Sequence, residues 1–158
     1  MGAVFLTVGR LLTLVSLVGI LVFATFAHGD THAHPPRIAI VVGRHSIVDA
    51  VSQDTLRDVY LRRQRVWAEG ARAIPVNLPA GNPVREQFSR IVLGRSTQQL
   101  GPYWNARYFE GIMPPAVLPS AAAIRAYLNA EPGSIAYLAE EDVDETCRPL
   151  LWLTVQEP

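Results

Sequence analysis

Hydrophobic positions change period repeatedly along this chain, and each change marks an element. Ile38-Ala39-Ile40-Val41-Val42 is a continuous, largely β-branched run stopped by Gly43, which predicts a strand over 37–43 buried on both faces. Ser52 opens a helix with Leu56, Val59 and Tyr60 on one face. Ala73–Leu78 reads as a second strand; its Pro75, with no N–H to give to a ladder, predicts an edge or a strand start. After a turn at Pro79-Ala80-Gly81, Asn82 and Pro83 suit an N-cap and a first helical position. Val84, Phe88, Ile91 and Val92 then recur at helical spacing as far as Gly94. Ser96 or Thr97 caps a third helix, with Leu100, Trp104 and Tyr108 sharing a face and Gly111 at its end. Met113-Pro114-Pro115 is a loop. Ser120 caps a fourth helix with Ile124, Tyr127 and Leu128 inward, closed by Pro132-Gly133. Ser134–Leu138 is a third strand, Glu140–Glu145 an acidic loop, and Leu150–Val155 the last strand.

The order β-α-β-α-α-α-β-β places the chain in the α/β class. Strands separated by helices need crossovers, which predicts a largely parallel or mixed sheet with helices over its faces. No internal repeat and no interior domain boundary interrupts the order. Trp67, Trp104 and Trp152 are expected in the core.

A different pattern holds ahead of the first strand. Arg10 precedes a stretch without charge over residues 11–27, ending in Ala24-Thr25-Phe26-Ala27. A positive flank, an apolar run and a small terminal residue form a secretory signal, with Thr25 and Ala27 at its −3 and −1 positions. The run is also at the lower limit for a membrane span, so a retained anchor is the alternative. Both readings put the remainder outside the cytoplasmic membrane. Residues 28–36, with His28, His32, His34 and Asp30 ahead of Pro35-Pro36, are expected to be a solvated spacer; loose metal binding is the alternative. The domain is then 37–158.

Composition narrows the function. Hydrophobic residues make up 49% and charged residues 18% of the 158, which excludes a disordered chain. Fourteen basic residues, every one arginine, balance fourteen acidic ones. A nucleic-acid-binding domain would be strongly basic, so no nucleic-acid partner is expected. One cysteine, Cys147, permits no internal disulfide and no cysteine-based zinc site, and outside the cytoplasm it must be buried or unreactive. Nucleophile and base pairings of Cys147 with His45, or of Ser46 with His45 and Asp49, have no supporting motif, and no P-loop, nucleophile elbow or metalloprotease helix is present. The expectation is a non-enzyme without cofactor or metal. Arg62-Arg63-Gln64-Arg65 reads as a solvated basic loop, or as a surface for an anion or an acidic partner.

Several phrases in this order resemble the phosphate-transporter branch of the periplasmic solute-binding proteins. Val51–Leu61 is similar to that family's leucine-serine-x-x-x-leucine-x-x-isoleucine-phenylalanine helix. Trp67 follows at the family distance, before a glycine and a return strand. Val76–Phe88 stands where the family has a glycine- and serine-rich anion turn ahead of a helix. Tyr103-Trp104-Asn105, with Phe109 and Gly111, is similar to a phrase of short, single-lobed members. Pro132-Gly133-Ser134-Ile135-Ala136-Tyr137 resembles the family's closing strand. The likeness covers about residues 37–155. It implies one lobe of a periplasmic-binding-protein-like fold, with a mixed, mostly parallel sheet of about four to five strands and helices on both faces.

Complete members of that family close two lobes on their anion, and this chain is long enough for one. The resemblance therefore implies an exported single-lobe protein that binds phosphate or another small oxyanion, in connection with an ABC transporter for phosphate or with phosphate sensing. The alternative is a lobe that has lost its ligand and binds a membrane transporter, a sensor or a second copy of itself. The expected site is the start of the second helix. Gly81 keeps the family's turn glycine, Asn82 adds a side-chain amide, the N–H groups of Val84 and Arg85 point out of the helix start, and Arg85 brings a guanidinium fork. Asn82, Pro83 and Val84 fill the family's serine, glycine and threonine places, and Leu78 and Ala80 stand where its arginine and aspartate would fall. Ser46, in the loop after the first strand, adds a hydroxyl if that loop lies at the carboxyl end of the sheet, where open α/β sheets place ligands.

Overall fold

In the computed structural model, which describes residues 36–155, the elements follow the order expected above with one short strand added. They are β1 (Arg37–Gly43), α1 (Gln53–Tyr60), β2 (Ile74–Asn77), α2 (Pro83–Phe88) running into a π-helical turn (Ser89–Leu93), α3 (Gly101–Phe109), β3 (Ala116–Val117), α4 (Ala121–Ala130), β4 (Ser134–Ala139), a 3-10 turn (Glu140–Asp142) and β5 (Cys147–Thr154). The segment over 1–27 expected to be an export signal or anchor, and nearly all of the expected His-rich spacer, lie outside the described residues. Among the described residues, no helix is long and apolar enough to cross a membrane.

The five strands form one sheet in the order β3-β2-β4-β1-β5. β2 is parallel to β3 and β4, whereas β1 is antiparallel to both β4 and β5. Four strands therefore share a direction and β1 opposes them from between β4 and β5, so the sheet is mixed, with two parallel and two antiparallel pairings. β1 and β4 are buried along almost their whole length, so both faces of the sheet's centre are covered. Alternation assigns the covers. Ile40 pairs with Tyr137, and Tyr137 lies against Phe88 of α2 and Tyr60 of α1. Gly43 is three residues on and faces the other way. There a Cβ would stand 2.1 Å from the Leu128 carbonyl oxygen of α4. α1 and α2 therefore cover one face and α4 the other, with α4 approaching so closely that β1 must end in glycine.

Caps and ion pairs close the connections. Ser52, Asn82 and Ser120 each accept backbone N–H groups at a helix start, and Gly94 ends the π turn at φ 68°. The acidic stretch after β4 crosses from one end of the sheet to the other. Arg125 of α4 holds that crossing, donating to the Asp142 carbonyl at 2.7 Å and pairing with Asp144 at 2.8 Å. Glu140 pairs with Arg37 at the start of β1.

Two expectations about packing change. Trp67 is buried, and its indole N–H donates to the Gly133 carbonyl. Trp104 is half-buried, and Trp152 is exposed on edge strand β5, with the Arg37 guanidinium 4.6 Å above its ring. α3 buries none of its residues fully. Tyr108, expected on its inward face, is 61% exposed and Phe109 is 89% exposed.

Candidate functional site

The residues expected to hold an anion are built on the carboxyl end of β2. The strand finishes at Asn77, Gly81 turns the chain at φ 82°, and α2 begins at Pro83. The structure brings Gly81, Asn82, Val84 and Arg85 together at that turn. It also shows how their polar groups are engaged. Asn82 Oδ1 accepts the Val84 N–H at 2.9 Å and the Arg85 N–H at 3.3 Å. The Arg85 guanidinium donates to the Leu78 carbonyl at 2.8 Å. Asn82 thus serves the two amide donors itself, as an N-cap does. Arg85 keeps further N–H groups and has no carboxylate partner among the described residues.

Ser46 is not brought to this turn. Because β1 runs against the other strands, its carboxyl end lies at their amino ends: Gly43 pairs with Cys147, the first residue of β5. There the Ser46 hydroxyl donates to the Pro132 carbonyl at 2.8 Å, just ahead of β4, and accepts the Val48 N–H at 3.1 Å. A hydrophobic run has the same pattern read in either direction, so the sequence carried no sign of the reversal.

Beneath the turn, a cavity of about 40 Å³ opens between Asn77, Arg85, Thr97, Trp104 and Tyr137. Its size suits a few water molecules. Its floor is aromatic. Phe88 stacks on Tyr137 at 3.9 Å and 10°, and Tyr60 tilts against Phe88 at 4.6 Å. The Tyr60 hydroxyl is shared between the Val76 and Ile135 carbonyls, tying β2 to β4. The Tyr137 hydroxyl donates to Asn77 Oδ1 at 3.0 Å, which leaves the Asn77 amide N–H groups without a partner among the described residues. Burial pushes the Tyr137 phenol well above its ordinary range, while the positive charge of Arg85 pulls the other way. Tyr60 is raised too, first by burial and then by Tyr137. Both phenols therefore stay neutral donors.

One wall is fixed by a carboxylate. Glu86 accepts the Thr97 hydroxyl at 2.6 Å and the Thr97 N–H at 3.0 Å, and Arg90 donates to its other oxygen. The Thr97 hydroxyl, then its N–H, hold the Glu86 carboxyl below its usual range. Asn77, Thr97 and Tyr137 were absent from the expected site. Asn77 carried a signal, as a polar residue closing an apolar strand just before the turn. Thr97 carried none, because it lines the cavity itself and is held there by a tertiary bond to Glu86.

The remaining candidates are buried or engaged elsewhere. Cys147 is buried, and burial pushes its thiol up rather than toward thiolate. Asp49 pairs with Arg148, and the Ser46 hydroxyl is engaged as described above. Among the described residues no cluster of His, Cys, Asp and Glu could hold a metal ion.

No family model and no curated protein matches this chain. Solved structures do. An ABC-type phosphate transport receptor from Vibrio cholerae superposes with a TM-score of 0.59 at 16% identity, over 73% of this chain and 45% of its own. A Clostridium perfringens protein described as a phosphate ABC transporter substrate-binding protein, with bound phosphate, gives 0.59 at 18% identity, over 73% and 44%. PstS from Borrelia burgdorferi gives 0.55 at 9%, over 73% and 46%. This chain therefore has the fold of part of these proteins and spans less than half the length of each.

Proposed function

We propose that this chain is an extracytoplasmic, single-lobed relative of the solute-binding proteins, and that Arg85 binds phosphate or a similar oxyanion weakly at the carboxyl end of the sheet. The observation that carries the reading is Arg85 itself. It is a half-buried guanidinium with no carboxylate partner among the described residues, beside the spare amide N–H groups of Asn77 and above a neutral phenol. An oxyanion there gains a charge-assisted fork from Arg85. The phosphate transport receptors that share the fold support phosphate as the first ligand to try, and a transporter for it as the setting. Extracytoplasmic placement rests on Arg10 and the apolar stretch over 11–27.

Affinity is expected to be low. Asn82 already occupies the Val84 and Arg85 N–H groups, the cavity is small, and the cleft has one side. A dissociation constant of about 1 mM, with phosphate at about 10 mM, stabilises by about 1.4 kcal/mol, or about 4–8 °C for a domain of this size. The test is thermal unfolding of the full chain in phosphate, sulfate and chloride at one ionic strength. The reading requires an oxyanion-specific rise that disappears in Arg85→Ala. An equal rise in chloride, or one that survives the substitution, defeats it.

A second reading, a protein-interaction module without small ligand, is favoured by α3, which buries no residue fully and ends in exposed Tyr108 and Phe109. In that case Arg85→Ala leaves assembly with a transporter, a sensor or a second copy intact, whereas Phe109→Ser weakens it.

A further inference from the structure

A second positive site lies at the other end of β2, away from Arg85. α1 ends in a reversal in which Arg62 takes φ 58°, the one left-handed residue other than glycine among the described residues. This fixes the side chain: the Arg62 guanidinium donates to the Ala73 carbonyl at 3.1 Å. The chain then folds into a small hairpin. Val66 bridges Arg72, Trp67 N–H donates to the Ala71 carbonyl and Ala73 N–H donates to the Arg65 carbonyl. Arg65 and Arg72 are thereby brought beside Arg62, and both are exposed. Burial, then the positive charges of Arg72 and Arg65, hold the Arg62 guanidinium below its ordinary value. Arg37, Arg57, Arg63, Arg90, Arg107, Arg125 and Arg148 all have carboxylate partners. Arg62, Arg65 and Arg72 have none among the described residues.

The three arginines rim a groove of about 390 Å³. Its floor is Ile74 and Pro75, and its far wall is the segment from Gly111 to Ala116. Pro75 is buried and Ile74 half-buried, and no described strand pairs with this stretch of β2 on the groove side, for a local reason. β3 pairs with Val76 and Asn77 and goes no further, and Pro75 has no N–H with which to extend the ladder. Met113 on the far wall is 59% exposed, and the wall begins two residues after Phe109. A positive rim above an apolar floor does not match a small inorganic anion, which would use the rim and leave the floor wet. It matches a chain that carries carboxylates and an apolar side chain together.

We propose that this groove docks an acidic, partly apolar peptide segment of a partner protein, with its carboxylates on Arg62, Arg65 and Arg72 and an apolar side chain over Ile74 and Met113. The groove shares Pro115 with the Arg85 cavity but none of that cavity's polar groups, and the proposal stands whether or not that cavity binds phosphate.

The experiment uses the full chain and fluorescence anisotropy. The probe is a labelled peptide alternating glutamate with leucine; the controls are its glutamine counterpart and a glutamate–serine peptide. Affinity for the glutamate–leucine peptide should exceed that for each control by about tenfold and fall with added salt. The double substitution Arg65→Glu, Arg72→Glu should lower it by about tenfold or more at an unchanged melting temperature, since both side chains are exposed. Arg62→Gly should also weaken it, because glycine takes the same backbone angle and removes the charge. Equal affinity for the glutamine peptide, or an affinity unmoved by the double substitution, overturns the proposal. Displacement of the peptide by millimolar inorganic phosphate at constant ionic strength would assign the groove to a small anion. Self-association abolished by the same double substitution would assign it to a second copy. Either result overturns the proposal.

Discussion

Replacing Asn82 with alanine removes one oxygen that serves two backbone donors. The shorter bond, to Val84 N–H at 2.9 Å, carries most of the interaction, and the 3.3 Å contact to Arg85 N–H adds less. Loss of such a cap costs about 1 kcal/mol, within a range of about 0.5–2. For a domain of this size that lowers the melting temperature by about 3–6 °C. Urea unfolding should show the midpoint falling with the slope unchanged, since the surface exposed on unfolding is the same. Asn82→Asp is the informative partner. Its oxygen still caps, and its negative charge at the helix start adds about 0.3–1 kcal/mol, so this variant should be at least as stable as the parent. The same charge sits beside Arg85 and should weaken any phosphate response. Stability and anion binding then move in opposite directions in one variant. An alanine variant within about 0.3 kcal/mol of the parent would refute the capping geometry. An aspartate variant with an undiminished phosphate response would refute the place given to Arg85.

Two further outcomes follow from contacts described above. Gly43→Ala drives a methyl group against the Leu128 backbone oxygen at 2.1 Å, so α4 must retreat from β1. A loss of about 1–3 kcal/mol in chemical unfolding is expected, whereas an unchanged midpoint would mean that α4 does not lie on that face. Thr97→Val removes the hydroxyl that, with the Thr97 N–H, keeps the Glu86 carboxyl below its usual range. A carboxyl depressed in the folded state stabilises above its unfolded pKa of about 4.3 and loses that contribution as pH falls through the folded value. The variant should therefore lose less stability than the parent between neutral pH and the acid limb, and parallel pH profiles would show that the Thr97 bond is not made in solution.

What was legible in the sequence was whatever is encoded locally. Ser52, Asn82-Pro83 and Ser120 announced helix starts because capping needs only a short side chain two or three residues ahead. The run Ile38–Val42 announced a buried strand because a strand covered on both faces has nowhere for a polar side chain. β3 was illegible, since two residues, Ala116 and Val117, cannot display a period. The direction of β1 was illegible too, and with it the position of Ser46. Trp152 misled because its size argues for the core, while on an edge strand a guanidinium can cover its ring instead of a second layer of protein. At the candidate site, Arg85 and its turn were visible as a helix start, but Asn82 turned out to occupy the donors it was expected to share with an anion. Tyr137 and Thr97 entered the site through contacts 60 and 11 residues away in sequence, which no local pattern reports.

A sheet that stays open has two rims, and on the described chain the longer one is β5. Eight residues of extended backbone with an unpaired outer side form a template on which another strand could grow. β5 defeats this in two ways: Pro149 removes one donor from its row, and the register slips opposite Ile40 and Val41, where Leu150 is the extra residue. During folding, before the sheet is complete, such a rim is at its most exposed. The interruption in β5 makes stacking of one copy on the next a poor alternative to folding.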